Sequence, residues 1–290
     1  MPNITDWSIP GYDNQPILGN THMPDGGPDA AIGVMLISHG FKGYKDYGFF
    51  PHIAEATAKA GLIAHRFNFS HSGMTNNIDT FEKPELFEKD TWLKQSADLN
   101  TVINAVRTGA IAGQDKPLSL FGHSRGGVTT LLTAGDPTAG LGEQLAGVIS
   151  AAAPSACSRL DADTIEMLKR VGKIASPSSR TGQTLYVGRA WQDQIDEDPV
   201  WHDPCRAITE IQCPVMLIHG TEDTTVPLTE AEELHHARPD TRYISIPGGH
   251  TFNAPNPMPL EQTPPPETQQ MIDAACGFAV QCCNLRSETK

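Results

Sequence analysis

Short apolar runs alternate along this chain with longer stretches whose apolar positions recur at helical spacing. The runs are Gly33 to Ser38, Leu62 to Phe67, Leu118 to Phe121, Ala146 to Ala151, Val215 to Ile218 and Arg242 to Ile246. As a set they are short and rich in Val, Ile and Leu, as expected of strands buried inside a domain. Between them, helices are predicted at Phe49 to Ala60, Thr91 to Thr108, Arg125 to Ala134, Thr229 to Ala237 and Glu267 to Gln281. The second of these lines up Trp92, Leu93, Leu99, Val102, Ile103 and Val106 as an apolar stripe. Strands alternating with helices predict an α/β fold, a mostly parallel central sheet flanked by helices. Residues through about His22 add one or two edge strands, since Pro10 and Pro16 fit an edge better than a centre.

One stretch breaks the alternation. About sixty residues separate the strand ending near Ala151 from the one starting near Val215, too many for a simple connection. Within it Asp161 to Val171 reads as a helix, while Ser176-Pro177-Ser178-Ser179 and Trp191 to Pro204 read as irregular. We read Ser155 to Arg206 as a small cap inserted over the carboxyl ends of the strands of a single domain, residues 1–290. The plainer alternative is a crossover helix with long loops.

Composition narrows the partners. With 21 Lys plus Arg against 34 Asp plus Glu the formal net charge is −13, which argues against nucleic acid or an anionic membrane as the main partner. No apolar run is long enough to span a bilayer. Met1 to Pro10 shows no basic stretch followed by an apolar one, so no secretion leader is read and a cytoplasmic location is expected. The six cysteines (Cys157, Cys205, Cys213, Cys276, Cys282 and Cys283) lack Cys-x-x-Cys spacing and are read as reduced thiols, with no metal site. The sequence does not set the oligomeric state and is compatible with a homo-oligomer.

The chemistry starts at Gly122-His123-Ser124-Arg125-Gly126-Gly127, between a predicted strand and a predicted helix. Gly-x-Ser-x-Gly in that context forms a tight turn that projects the serine. The flanking positions must be glycine because side chains there would strike backbone. Ser124 is therefore the candidate nucleophile, the alternative being an inert structural turn. A serine hydroxyl needs a base, and the base an orienting carboxylate. After the strand Val215 to Ile218, His219-Gly220-Thr221-Glu222-Asp223 offers Asp223 as the acid, with Glu222 the alternative. After the last, Pro247-Gly248-Gly249-His250 places His250 on a glycine-rich loop. Ahead of the serine, His39-Gly40-Phe41-Lys42-Gly43 leaves a strand, and the backbone amides of Phe41 and Arg125 are the expected oxyanion donors. His123, Trp191 and Trp201 are the candidate substrate-binding side chains.

These motifs, with Arg66-Phe67-Asn68-Phe69-Ser70 and Val226-Pro227, resemble the alpha/beta-hydrolase superfamily, from about Ala31 to Phe278. More narrowly, they are similar to small carboxylesterases related to cinnamoyl and feruloyl esterases and to dienelactone-hydrolase-like proteins. The resemblance implies an alpha/beta-hydrolase fold and a Ser-His-Asp triad. It departs at Phe41, where many lipases have another glycine, and at Asn68, where relatives often have aspartate. The expected activity is cleavage of a small-molecule carboxylic ester through an acyl-enzyme, with no cofactor. The alternatives are a serine peptidase of the prolyl-oligopeptidase type, an acyltransferase, and a binding module without catalysis on the same fold.

Overall fold

The computed structural model describes residues 3–288. Its strands are β1 (Asn3–Pro10), β2 (Pro16–Met23), β3 (Gly33–Ser38), β4 (Leu62–Asn68), β5 (Leu118–His123), β6 (Leu145–Ala151), β7 (Lys173–Pro177), β8 (Thr184–Gly188), β9 (Val215–Gly220) and β10 (Arg242–Ile246). The helices are α1 (Gly27–Ala30), α2 (Phe50–Lys59), α3 (Pro84–Glu88), α4 (Trp92–Arg107), α5 (Arg125–Ala134), α6 (Ala162–Val171), α7 (Ala190–Glu197), α8 (Pro204–Glu210), α9 (Leu228–Ala237) and α10 (Pro266–Glu288).

Eight strands form one sheet in the order β1-β2-β4-β3-β5-β6-β9-β10. From β4 to β10 the pairs are parallel, so every carboxyl end in that run points the same way. β1 and β2 form an antiparallel hairpin added to β4 at one edge, where Pro10 pairs with Pro16 beside the turn. That edge tolerates the two prolines because fewer ladder donors are needed there.

Alternate residues of β3 feed the two faces. Val34 and Leu36 pack with Leu99, Val102, Ile103 and Val106 of α4 and with Leu131 of α5. Met35 and Ile37 pack with Phe50 and Ile53 of α2 and with Met271, Ile272, Ala275 and Phe278 of α10. Burial on both faces is why the parallel strands read as short apolar runs, and each fully buried large side chain contributes roughly 1.5–3 kcal/mol. Helix starts follow local chemistry. The Thr91 hydroxyl accepts the Lys94 amide ahead of α4, and the Asp161 carboxylate accepts the Thr164 amide ahead of α6.

The stretch between β6 and β9 is more regular than its sequence indicated. Ser176 and Pro177, expected to be irregular, lie in β7, which pairs antiparallel with β8 from Lys173↔Gly188 to Pro177↔Thr184. Much of Trp191 to Pro204 is likewise helical, in α7. Each strand of the hairpin is only five residues long, too short for its alternation to stand out from the irregular sequence around it. It is held by the rest of the fold: the Gln183 amide exchanges hydrogen bonds with both backbone groups of Phe81 (2.8 and 3.0 Å), and Lys173 pairs with Glu88 at 2.9 Å.

Among the described residues, no helix is long and apolar enough to cross a membrane. All six cysteines are free thiols, and all but Cys205 are buried.

Candidate functional site

Ser124 lies at the carboxyl end of β5, at the centre of the sheet, with its backbone at φ 55° and ψ −122°. That conformation is costly for a residue with a side chain. It is held by the Ser124 amide, which donates to the Ala151 carbonyl at 2.7 Å, and by the Ser124 carbonyl, which accepts from Gly127 at 2.9 Å and Val128 at 3.2 Å. The neighbouring glycines make the turn possible. A methyl group on Gly122 would lie 2.1 Å from the Gly126 carbonyl oxygen, and one on Gly126 would lie 2.5 Å from the carbonyl oxygens of both Ser38 and His39.

Two loops at the carboxyl ends of later strands meet the serine. His250 Nε2 is 3.0 Å from Ser124 Oγ, and His250 Nδ1 is 2.7 Å from Asp223 Oδ2. Asp223, buried just beyond β9, accepts the Thr225 and Val226 amides on Oδ1, each at 2.8 Å, and Oδ2 lies 3.5 Å from His219 Nε2. Burial pushes the Asp223 carboxyl up, but its bonds from the His219 and His250 rings and the Val226 amide more than offset this and hold it well below the usual carboxylate range. An ionised carboxylate only accepts, so the His250 proton belongs on Nδ1. The Nε2 lone pair is then free to accept from the serine hydroxyl. Glu222, the alternative acid, is exposed and is not the carboxylate that meets His250.

The His250 loop is anchored from below. Phe252 is fully buried, and Thr268 donates to its carbonyl at 2.6 Å. His123 packs edge-on against Phe49 and lies 2.7 Å, through Nε2, from the His250 main-chain oxygen. A carbonyl only accepts, so Nε2 of His123 carries the proton. Burial, and the neighbouring His250, lower His123 to about 3, so it stays a neutral donor.

The Gly40–Gly43 loop, expected to carry an oxyanion donor, approaches from β3. Gly43 donates to Gly40 at 3.0 Å, closing a turn in which Lys42 has φ 56°. A methyl group on Gly40 would lie 3.1 Å from both the His123 carbonyl oxygen and Ser124 Cβ, so this loop rests directly on the serine turn. The Arg125 amide is at the first turn of α5, where helical N–H groups have no intrahelical acceptor. The Arg125 side chain is buried beneath it. Its guanidinium lies 4.8 Å from the Trp92 ring and 5.7 Å from the Phe41 ring, and Nη2 is 3.3 Å from Asp90 Oδ2. At Asn68, where aspartate was the expectation from resemblance, the amide accepts from Lys45 N at 2.7 Å and donates to the Thr75 carbonyl at 3.2 Å, a donation a carboxylate could not make.

A cavity of about 210 Å³ opens at Ser124 and His250, walled by Phe41, Lys42, Tyr47, His123 and the Pro177–Arg180 segment of the β7–β8 hairpin. A larger cleft of about 1130 Å³, lined by Arg107, Asp115, Gln144 and Arg286 among others, lies beside Leu118 at the opposite end of β5 and holds no member of this constellation. Trp191 and Trp201, expected to touch substrate, do not line the Ser124 cavity. Both pack in the apolar cluster of Trp92, Val128 and Leu132, with Trp201 Nε1 donating to Asp136 at 3.1 Å. Lys42, Tyr47 and Arg180 were not singled out as pocket residues. The one available signal was the alternation on either side of Ser178 to Gln183, which marks a hairpin. Among the described residues no cluster of His, Cys, Asp or Glu is arranged to hold a metal ion.

The buried histidines make stability depend on pH. Burial lowers His39 and His65 to about 4, and His123 to about 3. Unfolded, each binds a proton near pH 6.5. The folded state therefore holds fewer protons between these values, and stability falls as pH drops through that window. Burial raises the Asp98 carboxyl to about 6, which opposes the trend for one group. The urea midpoint is expected to decrease from pH 7 to pH 5. A midpoint that rises on acidification would contradict the neutral burial of these rings.

Comparison with known proteins agrees with this architecture. The family model described as the alpha/beta hydrolase family matches residues 34–263. No curated protein sequence matches the chain. Among solved structures the chain is similar to Est1E from Butyrivibrio proteoclasticus, at 14% identity and a TM-score of 0.67, covering 96% of this chain and 98% of that one. It is also similar to the esterase domain of a Rhodothermus marinus protein, at 15% identity and a TM-score of 0.64, with coverage of 96% and 98%. A third is alpha/beta hydrolase domain-containing protein 10 from mouse, at 15% identity and a TM-score of 0.66, with coverage of 94% and 98%. At these identities the structures establish the fold. The family match takes in the serine turn, the Asp223 and His250 loops and the sheet that aligns them, and the chain belongs to the alpha/beta hydrolase family.

Proposed function

We propose that this protein is a serine hydrolase that cleaves small carboxylic esters through an acyl-enzyme. The observation that carries the reading is the relay from Ser124 Oγ to His250 Nε2 at 3.0 Å and from His250 Nδ1 to Asp223 Oδ2 at 2.7 Å. His250 takes the hydroxyl proton as Ser124 attacks the carbonyl carbon. Asp223 fixes the tautomer and stabilises the imidazolium. The amides of Phe41 and Arg125 bind the oxyanion, aided by the amino end of α5. The imidazolium then protonates the departing alkoxide, and the same ring activates the water that releases the acid. His123, bonded to the His250 carbonyl, is a positioning residue. Residues 155–206 act as the cap, meeting the site through the hairpin tip.

The similar Est1E has been solved with ferulic acid bound, which makes hydroxycinnamate esters a reasonable part of a substrate panel. A cytoplasmic location, expected from the sequence, is part of this reading.

The test is covalent. A fluorophosphonate probe should add its phosphonyl group once per chain, and peptide mass mapping should place it on Ser124. Adduct elsewhere, or none on the folded protein, would remove Ser124 as the nucleophile.

A further inference from the structure

The charged residues in the wall of the Ser124 cavity are of one sign. Among the described residues, the charged side chains that line it are Lys42 and Arg180, and no carboxylate does. That contrasts with a chain whose formal net charge is −13. The two cations are not equivalent. Arg180 turns its guanidinium away, to the Ile78 carbonyl and Met74 Sδ, between the rings of Tyr44 and Phe81. Lys42 spans the cavity mouth, with Nζ donating to the Pro177 carbonyl at 2.6 Å and lying 5.4 Å from the Phe41 ring. An ammonium has three donors, so two remain for a ligand. Lys42 also sits at φ 56°, where glycine or asparagine is the comfortable residue. A long cationic side chain at a backbone position that disfavours it points to a use for that side chain.

Resting on the ester-hydrolase reading above, we propose that the substrate is an anionic ester, one bearing a carboxylate, and that Lys42 is the group that pairs with it. The carboxylate enters beside the oxyanion loop, where it accepts from the Lys42 ammonium. Arg180 adds positive field from behind. Partial burial, which pulls the Lys42 ammonium downward from its usual value, marks an environment where an opposite charge is favoured. A neutral isostere leaves the half-buried ammonium unmatched, so discrimination of about tenfold or more is expected from a single charge-assisted pair.

Two ester pairs test this, one for each side of the scissile bond. Phenyl hydrogen glutarate against methyl phenyl glutarate carries the charge on the acyl side. 4-Acetoxybenzoate against its methyl ester carries it on the alcohol side. In at least one pair, the wild-type kcat/KM ratio of charged to neutral ester should exceed about ten and shrink with added salt. The ratio should fall to near one in Lys42→Gln and return in Lys42→Arg. A wild-type ratio at or below one in both pairs, or a ratio unchanged in Lys42→Gln, overturns the proposal. Benzoate binding by titration calorimetry separates this from the chemistry at Ser124. If all four esters are inert, the ester-hydrolase reading fails, while benzoate binding that weakens about tenfold in Lys42→Gln still supports the anion site. Binding that does not depend on Lys42 refutes it.

Discussion

Ser124→Ala should lower turnover of a short-chain aryl ester by about five to six orders of magnitude and leave the fold intact. The expected size follows from how the parts depend on one another. The hydroxyl lies 3.0 Å from His250 Nε2, and neither group does the chemistry without the other. His250→Ala should therefore cost about as much. The double variant Ser124→Ala, His250→Ala should be no worse than either alone, because residues that act as a unit are not additive. Asp223→Asn should lose roughly 10⁴-fold. An amide at that position has to keep accepting from Thr225 and Val226 on one atom, which leaves its NH₂ facing His250 Nδ1 and favours the wrong tautomer. Residual activity in all four variants should exceed the uncatalysed rate, since the Phe41 and Arg125 amides remain. Steady-state rates with unchanged circular dichroism decide the matter, and a Ser124→Ala protein within tenfold of wild type would end the proposed mechanism.

Gly122→Ala should unfold or severely destabilise the protein, by more than about 3 kcal/mol. The added methyl would meet the Gly126 carbonyl oxygen at 2.1 Å and the Gly127 nitrogen at 2.7 Å. Both are backbone atoms in the first turn of α5 and cannot rotate away as a side chain would. Relief requires moving α5 off β5, which breaks packing of Val128, Leu131 and Leu132. Gly126→Ala should behave similarly, because its methyl is trapped between the Ser38 and His39 carbonyls. Gly277→Ala is the contrasting control. Nothing lies within 4 Å of a methyl at that position in α10, so the gain in helix propensity should stabilise by about 0.5–1 kcal/mol. Thermal or urea midpoints separate the three variants, and a Gly122→Ala protein as stable as wild type would mean the turn is looser than described.

The resulting picture was partly legible in the sequence. Strand β3 and strand β10 were read to the residue, as was α5. The order of serine, acid and histidine along the chain was legible too, because the mechanism requires each to leave the carboxyl end of a parallel strand. What could not be read were distances between loops. Nothing local to Asp223 or His250 states that their side chains lie 2.7 Å apart, since that depends on β9 and β10 being neighbours in register, Ser245 against His219.

The aromatic residues show the same limit. Trp191 and Trp201 read as substrate contacts because they fall in the inserted segment, yet they pack against Trp92, Val128 and Leu132. The wall of the cavity is built instead by Lys42 and Tyr47 of one segment and Arg180 of another far along the chain. The sequence alone determined the α/β fold class and the glycine-flanked turn at Ser124, which follow from periodicity and glycine sterics, and it nominated His250 and Asp223, with Glu222 beside it, as candidates to meet that serine. Only the tertiary structure decided which side chains surround the serine. A pocket is a relation between loops, and the attachment of the β7–β8 hairpin to Phe81 and Glu88 is a set of long-range contacts that no local pattern encodes.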